Sequence, residues 1–444
     1  MITKLMFPSK RIFFIALVAL YVCTLQIVYR EIISAIYQYT GLGYREVDIQ
    51  YLVISWVLAL IPACWMPIEL KRPSQLLYVV FYFTIYIPPL FIMYHCQIPI
   101  IEFNRILGLT LVMFIGLLIM GLSYAISLLQ IHNQPISKGI FNTLIAGATF
   151  GFIIYLVAAK GNQLNFAFDY SQIYQVRSDY VESLTGNFPI SYVVSLLSGL
   201  ILPFFFSLGL IGKKNLLIAL SVLGYIFLYG IAAYKASLLY PVIALVLYYI
   251  VTRHNRILSI IMVLVIIIAL AFTFFARKIN SLSVSYIALI PYRTFSVNSI
   301  IQLQYFDFFS SHQPTYLSHV KGFSSFITYP YPLYLSDLIP VYYYGVGRGA
   351  NASPWSMDGL AGFGIWGIPI ISIIISLTFF LLDSLAQNLR KEFTILFISY
   401  YSFSFTSTSF FTLLFSGGLS ILMILIYLLP NDGPFMICRQ DGTT

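Results

Sequence analysis

Long apolar blocks with almost no charge recur along this chain, and they constrain its fold more than any other feature. Residues 12–29, 106–129 and 257–275 are examples, and an α-helix of about 20 residues crosses the hydrocarbon core of a membrane. In lipid such blocks must be helical, because unpaired backbone groups find no partner there. A β-barrel would show alternating segments of about ten residues, and the sequence has none. The sequence therefore predicts an all-α integral membrane protein.

The composition excludes most soluble functions. Hydrophobic residues make up 60% of the 444 residues and charged residues only 9%, whereas a soluble domain carries about 25% charged residues. The net charge of +9 does not indicate nucleic-acid binding, because the basic residues are dispersed and form no continuous patch. We therefore expect membrane lipids, and no nucleic acid, among the partners. The first apolar block lacks a small-residue cleavage site, so we expect a retained anchor.

About twelve transmembrane helices are predicted, and ten or eleven are the alternatives. The uncertainty comes from two closely spaced pairs, which must turn near Tyr234 and around 406–408. The predicted spans are 12–29, 51–68, 75–95, 106–129, 140–159, 189–211, 216–233, 236–252, 257–275, 361–382, 393–409 and 411–429.

The distribution of Lys and Arg predicts that both termini are cytoplasmic. With the N-terminus inside, 13 of the 24 basic residues lie in inner segments, against 6 in short outer segments. Basic residues favour the cytoplasmic side of short loops, and long loops are discounted. The inner residues are Lys4, Lys10, Arg11, Lys71, Arg72, Lys138, Lys213, Lys214, Arg253, Arg256, Arg390, Lys391 and Arg439.

One large periplasmic loop, at about 276–360, divides the chain. Nine spans are expected in 1–275, with a smaller periplasmic loop at about 160–189, and three spans and a cytoplasmic tail in 361–444. Long loops are usually functional or disordered, and the many aromatic residues here argue against disorder. Its stretch 298–309 predicts an amphipathic helix along the outer membrane surface.

The signatures of common soluble enzymes are missing from the sequence, including GxGxxG, the Walker loop, HExxH and GxSxG. The five histidines never take metal-ligand spacing, and His312 and His319 are interpreted as exposed loop residues rather than metal ligands. We therefore expect no metal site.

Seven arginines fall in predicted outer segments, where basic residues are disfavoured. A guanidinium grips phosphate with paired donors, so an outer-face enzyme acting on a lipid diphosphate would use such residues. Pairing with lipid phosphates or nearby carboxylates is the plainer alternative for most of them. For Arg293 in IPYRTF and Arg348 in GVGRGAN we favour diphosphate binding. The seven are Arg30, Arg45, Arg105, Arg177, Arg277, Arg293 and Arg348.

Two further charged residues carry open alternatives. Lys235 is isolated in a long apolar run, which is typical of a functional residue, but it could equally extend to the interface at the outward turn. Asp358 precedes a span and could accept the proton of a sugar hydroxyl as a general base. Helix capping or ion pairing is the alternative for Asp358.

Three segments resemble the Wzy-type O-antigen polymerases, also called oligosaccharide repeat unit polymerases. They are AAYKASLLYPVIALVLYY around Lys235, YRTFSVNSIIQLQYFDFFSSHQPTYLS from Tyr292, and GRGANASPWSMDGLAGFGIWG from Gly347. The resemblance also covers the length, the span count and the single large outer loop.

The resemblance implies a membrane glycosyltransferase of lipopolysaccharide biosynthesis. A growing glycan on undecaprenyl diphosphate is transferred onto a lipid-linked oligosaccharide repeat unit, without a nucleotide sugar or metal. It also implies a membrane partner that regulates chain length. The roles expected are diphosphate binding by Arg293 and Arg348 with Arg177 assisting, substrate binding by Lys235, base catalysis by Asp358, and sugar contact by Tyr305, His312 and Asn351.

Two other functions remain open from the sequence. An O-antigen ligase would share the architecture and the donor. A flippase for lipid-linked oligosaccharide would place its charges within helices facing a central cavity, whereas this chain concentrates them in one outer loop. The sugars, the stereochemistry of the linkage and the oligomeric state are not determined by the sequence.

Overall fold

The chain forms a bundle of helices in a computed structural model, which describes residues 2–160, 165–166, 176, 188–276, 281–320, 322–347, 352–431 and 433–436. An isolated β-bridge pairs Leu389 with Met436. The helices of six residues or more are α1 Ile2–Val28, α2 Ile49–Leu60, α3 Gln75–Phe81, α4 Ile87–His95, α5 Phe103–Leu122, α6 Lys138–Lys160, α7 Phe188–Leu196, α8 Leu202–Gly212, α9 Asn215–Ala232, α10 Lys235–His254, α11 Leu258–Ala276, α12 Ser281–Pro291, α13 Val297–Ser311, α14 Leu335–Tyr344, α15 Gly367–Leu385, α16 Lys391–Ser404, α17 Phe410–Phe415 and α18 Leu419–Leu428.

Nine segments of the described chain are long and apolar enough to cross a membrane, which confirms an all-α polytopic membrane protein. Ala236–Ala276 is one such segment of 41 residues, and it contains both α10 and α11. The apolar helix Ile49–Cys64 and the 14-residue α16 are shorter. The count of twelve spans stays a prediction. The nine segments are Lys10–Ile36, Gln75–His95, Phe103–Ala125, Lys138–Ala159, Ile190–Gly212, Asn215–Ala232, Ala236–Ala276, Trp355–Leu385 and Phe410–Leu428.

Both closely spaced pairs of apolar segments turn where the sequence predicts. α9 ends at Ala232, Ala233 takes a left-handed conformation with φ of 50°, and α10 begins at Lys235. In the second pair α16 ends at Ser404 and α17 begins at Phe410. These two turns are confirmed.

Short π-helical segments interrupt several of the helices. A π-turn holds one more residue than an α-turn, and such turns are frequent at functional sites. Two of them fall in segments that the sequence singles out, around Arg293 and Asp358. The π-helical segments in the described chain are Tyr29–Ile33, Tyr82–Tyr86, Leu197–Ile201, Tyr292–Ser296 and Trp355–Leu360.

A short helical arm, residues 355–363, runs antiparallel to α15 and packs against it. Nε1 of the buried Trp355 donates a hydrogen bond to Oγ of Ser372 over 2.9 Å. Nearer the turn, the backbones of Gly359 and Gly367 are in direct contact. Gly367 has to be a glycine because a side chain there would enter the backbone of Gly359, whereas a side chain on Gly359 would only make a tight contact with Gly367. We call residues 355–363 the hairpin arm.

α13, from the predicted large loop, is buried on almost all sides. Eleven of its 15 residues are buried, and Asn298, Gln302 and Gln304 are among them. It packs against α4 and against the π-helical part of the hairpin arm. The helix predicted over 298–309 is confirmed. The prediction that it is amphipathic and lies along the membrane surface is wrong, because neighbouring helices cover it on more than one face.

The described part of the predicted large loop is attached to the short helical turn Gln38–Thr40, which follows the first span. The hydroxyl of Tyr344, at the end of α14, donates to the carbonyl of Thr40 over 2.7 Å. The same hydroxyl accepts a hydrogen bond from Nε2 of Gln304 over 2.6 Å. The loop boundaries, 276–360 and about 160–189, stay predictions, and most of the smaller loop lies outside the described residues.

α10 packs against α16 through one buried tyrosine. The hydroxyl of Tyr240 lies 3.1 Å from Oγ of Ser399. Its ring also meets the ring of Tyr400 edge-on, with centroids 5.5 Å apart. This contact holds the start of α10 near the end of α16, and those two ends form the walls of a groove described below.

Replacing Gly367 with alanine tests the close approach of the hairpin arm. The added methyl group would meet the backbone of Gly359, which cannot shift without moving the arm. Overpacking costs about 1–3 kcal/mol, so we expect Gly367→Ala to lower the melting temperature of the detergent-purified protein.

Gly108→Ala is the matched control, because nothing lies within 4 Å of a side chain built there. Alanine also favours helix over glycine, so the control should melt at the wild-type temperature or slightly above it. Equal melting of the two variants would contradict the packing described here.

Candidate functional site

A groove with a volume of about 400 Å³ lies between α10, α16 and the junction of α12 with its π-helical segment. Apolar side chains make up most of its walls, including Leu239, Ile243 and Phe403. Among the described side chains that line it, Arg293 alone is charged. We call it the Arg293 groove.

The Arg293 groove opens sideways from the bundle. Leu239 on α10 is 56% exposed and Ile290 on α12 is 66% exposed. Leu239 lies on the apolar segment Ala236–Ala276, where an exposed apolar side chain faces the lipid tails, whereas α12 is not among the nine segments found in the described chain. A ligand could therefore enter from the hydrocarbon with an apolar chain in the groove and an anionic group at Arg293.

Aromatic contacts on both sides fix the backbone that carries Arg293. The ring of Tyr292 stacks on Tyr37 with centroids 3.8 Å apart and planes 8° apart. Phe295 is buried, and its ring lies 6.0 Å from that of Tyr21. Arg293 between them is exposed, with its guanidinium 5.9 Å from the centre of the Tyr292 ring.

The first turn of α10 lies beside the same groove. Lys235 is the first residue of α10, and the next residue, Ala236, lines the groove. No side chain caps this helix at Tyr234, and free N–H groups give a helix N-terminus a partial positive charge. The side chain of Lys235 lies outside the described part of the chain, so its role stays a prediction.

Asp358 is fully buried in the hairpin arm, where it binds the break between α16 and α17. Its Oδ2 accepts from the backbone N–H of Phe410 over 2.5 Å, and its Oδ1 accepts from the hydroxyl of Ser409 over 2.5 Å. Ser409 in turn caps α17 by accepting from the N–H of Thr412 over 3.3 Å. These contacts are of the capping kind that the sequence left open beside a catalytic role.

His319 approaches the same carboxylate. Its Nε2 lies 3.8 Å from Oδ1 of Asp358 and has no hydrogen-bond partner. Its Nδ1 lies 2.8 Å from Oγ1 of Thr315, which also donates to the carbonyl of Ala361 in the hairpin arm. The His319 side chain is only 8% exposed. The interpretation of His319 as an exposed loop residue is wrong, because its loop folds onto the arm.

We call Asp358, His319, Thr315 and Ser409 the Asp358 cluster. Hydrogen bonds occupy both oxygens of the carboxylate, whereas Nε2 of His319 is unsatisfied. Oγ1 of Thr315 holds the imidazole through Nδ1, so Nε2 is the ring nitrogen that faces the carboxylate, at a distance too long for a hydrogen bond. Nε2 of His319 is therefore the polar side-chain atom of this cluster that is left without a hydrogen-bond partner.

Tyr305 on α13 and His312 directly after it were expected to contact sugar, and both lie among aromatic rings. Tyr305 is completely buried, and its hydroxyl donates to the carbonyl of Leu335 over 3.3 Å. His312 is half-buried and stacks on Phe308, with centroids 4.0 Å apart. Tyr342 is 55% exposed and meets both of those rings edge-on. In this conformation His312 and Tyr342 offer ring surface to a ligand, and Tyr305 does not.

A carboxylate borders this aromatic surface. The hydroxyl of Tyr343 donates to Oδ2 of Asp307 over 2.8 Å. Burial, and then the hydrogen bond to Asp307, raise the pKa of Tyr343. The phenol therefore stays protonated and holds the carboxylate at the edge of the exposed rings.

The structure places the predicted residues at two locations. Arg293 and the start of α10 meet at the Arg293 groove, whereas Asp358 lies where the hairpin arm packs on α13. Arg293 and Tyr305 are twelve residues apart on one continuous helical stretch, which is about 18 Å along a helix axis. Arg177, Arg348 and Asn351 lie outside the described residues.

Sequence reasoning missed the partners of Asp358. His319, Thr315 and Ser409 lie about 40 to 50 residues from Asp358 along the chain, and no spacing in the sequence connects them with it. One local signal existed, since Thr315 and His319 are four residues apart, but nothing in the sequence joins that pair to a distant carboxylate.

Comparison with known proteins adds no relative. No family model, no curated protein and no solved structure matches this chain. The fold and the two locations define a polytopic membrane protein with an apolar groove that contains Arg293 and with a buried carboxylate–histidine pair.

Replacing Asp358 with asparagine tests the cluster as a structural unit. An amide offers one acceptor oxygen instead of two, so the hydroxyl of Ser409 or the N–H of Phe410 loses its partner. An unsatisfied buried group costs about 1–3 kcal/mol, so we expect a lower melting temperature.

Asp48→Asn is the control, because Asp48 is exposed and its side chain makes no capping bond at the start of α2. This change should leave the melting temperature at the wild-type value. If Asp358→Asn melted like the control, the hydrogen bonds of the cluster would not be holding the arm.

Proposed function

We propose that this protein is an O-antigen polymerase, a membrane glycosyltransferase of lipopolysaccharide biosynthesis. It transfers a growing glycan from undecaprenyl diphosphate onto a lipid-linked oligosaccharide repeat unit. The bond between the anomeric carbon and the diphosphate oxygen breaks, and a bond to the acceptor hydroxyl oxygen forms. The hydroxyl proton passes to a base, and undecaprenyl diphosphate leaves.

The Arg293 groove is the observation that carries this proposal. The donor is an anionic diphosphate on a long apolar chain, and the groove joins a permanent cation to an apolar surface open to lipid. The positive end of α10 adds to the favourable potential beside Arg293. Arg348, Arg177 and Lys235 are proposed as further contacts of the diphosphate.

Arg293 would act mainly on the leaving group. As the glycosidic bond breaks, negative charge develops on the diphosphate oxygen, and a fixed cation stabilises that charge more than it stabilises the bound donor. The aromatic anchors Tyr292 and Phe295 hold the Arg293 backbone before substrate arrives. A pre-positioned cation costs little reorganisation during the reaction.

The acceptor proton is assigned to the Asp358 cluster. Nε2 of His319, which has no hydrogen-bond partner, would take the proton, and the carboxylate of Asp358, 3.8 Å from it, would stabilise the resulting positive charge. Both side chains are buried, so an acceptor hydroxyl reaches them only after the loop that carries His319 moves. His312 and Tyr342 are proposed as sugar contacts, with Tyr305 behind them and Asn351 nearby in sequence to the hairpin arm.

We assign the protein to the bacterial inner membrane with both termini in the cytoplasm. This orientation places Arg293 and the Asp358 cluster toward the periplasm, and it follows from the 13-to-6 distribution of basic residues. The proposed reaction needs no nucleotide sugar or metal. Its partners are membrane lipids, the lipid-linked oligosaccharide and a chain-length-regulating membrane protein.

Replacing Arg293 with glutamine tests the diphosphate role in cells. In a host with this gene deleted, the surface lipopolysaccharide should collapse to core plus one repeat unit on a gel. Restored wild-type protein should rebuild the ladder, whereas Arg293→Gln should not, because losing one transition-state donor costs about 10²–10³-fold in rate.

Arg30→Gln is the matched control, since Arg30 is an exposed arginine that pairs with Glu31 and does not line the groove. It should restore the ladder. A full ladder with Arg293→Gln would exclude the assigned role of Arg293. Loss of even the single-repeat band on deletion would point instead to an O-antigen ligase or a flippase.

Filling the groove tests the site of the lipid chain separately. Leu239→Trp adds bulk where the apolar chain would lie. Overpacking costs about 1–3 kcal/mol. If that cost falls on binding of the lipid-linked donor, its KM should rise at least about fivefold. Leu220→Trp, on an exposed position of α9 outside the groove, should leave KM unchanged. Equal KM values for both variants would place the donor chain elsewhere.

A further inference from the structure

A second cavity, of about 580 Å³, lies at the far end of the bundle from the Asp358 cluster. The hairpin arm meets α15 at Gly367, whereas this cavity is lined by residues around Asp383 near the other end of α15. Those two positions are about 24 Å apart along the helix axis. Four of the lining residues are basic: Lys71, Arg72, Arg390 and Lys391. We call this cavity the basic pocket.

The basic pocket has an excess of positive charge. Its two acidic lining residues are Asp383 and Glu392. Glu69 also lies 3.8 Å from Nζ of Lys391, so four basic residues face three carboxylates. Asp383 is buried and already accepts two hydrogen bonds from Ser74, one from the backbone N–H at 3.0 Å and one from the hydroxyl at 2.7 Å. Glu392 lies 3.8 Å from Arg390, in a pair that is partly exposed. An exposed pair of this kind contributes little and can yield to a better anion.

Hydrogen bonds to Gln75 fix the backbone of Lys71 and Arg72, the basic residues on one wall of the pocket. Oε1 of Gln75 accepts from the N–H groups of Lys71 at 2.7 Å and Arg72 at 3.1 Å. One Nη of Arg72 donates to the carbonyl of Ile126 over 2.9 Å. A guanidinium has five donor hydrogens, so this bond leaves others for a ligand.

The start of α16 supplies the opposite wall. α16 begins at Lys391, and its N-cap residue Arg390 makes no side-chain cap. The free N–H groups of a first turn attract anions, phosphate above all. The backbone N–H of Arg390 itself donates to the carbonyl of Phe435 over 2.7 Å, which holds the wall in place.

We infer that the basic pocket binds the phosphate of an anionic phospholipid headgroup. Basic pockets between membrane helices are suited to such headgroups. Leu128, Leu389 and Met436 add apolar surface beside the charges, which suits the glycerol and first acyl carbons of a lipid. The inference does not depend on the reaction proposed above, because no residue of the Arg293 groove takes part.

Bound phosphate would add a further link among three segments that already contact one another at this end of the bundle. The loop at Lys71, the connection between α15 and α16 at Arg390, and the terminal segment at Met436 all face the pocket. A bidentate contact from arginine and a point charge from lysine are the usual means of holding phosphate. The lipid would thus stabilise this end of the bundle as a ligand does.

Lipid binding to the purified full-length protein tests the inference. We would titrate the protein with phosphatidylglycerol and with phosphatidylcholine, and count bound lipids by native mass spectrometry. Lys71→Gln combined with Lys391→Gln removes two charges from the pocket and should weaken phosphatidylglycerol binding about tenfold or more. Phosphatidylcholine binding should not change.

Lys213→Gln combined with Lys214→Gln removes the same charge from an exposed turn outside the pocket. It should change phosphatidylglycerol binding by less than about twofold. Equal losses in the two double variants, or no loss in either, would overturn the site. The melting temperature in lipid-free detergent, which should match wild type, confirms that the pocket variant is folded.

Inorganic phosphate distinguishes a lipid from a soluble source of the same chemistry. Millimolar phosphate should leave bound phosphatidylglycerol in place, because the acyl chains contribute part of the affinity. Displacement of the lipid by phosphate, or phosphate binding that the pocket variant abolishes while lipid binding persists, would overturn the assignment to a lipid headgroup.

Discussion

The hydrogen bonds accepted by Asp358 hold the functional half of the bundle together. A helix that breaks inside a membrane protein exposes backbone groups that lipid cannot satisfy. Here the chain breaks between α16 and α17, and one buried carboxylate takes the hydroxyl of Ser409 and the N–H of Phe410. The same carboxylate belongs to the hairpin arm and faces His319. Three segments distant in sequence therefore depend on one charged group for their relative positions.

The continuous helical stretch from α12 through α13 links the two parts of the candidate site. At its π-helical turn Arg293 is exposed beside a lipid-facing groove, and farther along α13 packs under the hairpin arm. A π-turn allows such a change of direction without ending the helix. The arrangement keeps a cation at the lipid boundary and a carboxylate–histidine pair in a dry interior. Those are the two environments that departure of a lipid diphosphate and proton transfer from a sugar would require.

In the described chain, the cations at the two ends of the bundle have different surroundings. At the end that carries Arg293, described cations lie over aromatic rings, as in the contacts of Arg45 with Phe103 at 4.5 Å and of Arg293 with Tyr292 at 5.9 Å. At the other end Lys71, Arg72 and Lys391 gather around one cavity. Aromatic rings and single cations suit sugars and a diphosphate, whereas a cluster of cations at a membrane surface suits anionic headgroups.

The sequence by itself determined the class of the fold, because membrane spans are local. An apolar block near 20 residues needs no distant partner to be helical in lipid, so the all-α membrane class, the turn near Tyr234 and the helix over 298–309 could be read from the chain, whereas the count of twelve spans stays a prediction. The burial of that last helix could not, because it depends on which helices surround it. Only the tertiary structure decided which charged residues meet. It brought His319 and Ser409 to Asp358 across about 40 to 50 residues of chain, and it set Arg293 beside α10 rather than beside the carboxylate. Such contacts arise from packing between distant segments, which leaves no periodicity or spacing in the sequence.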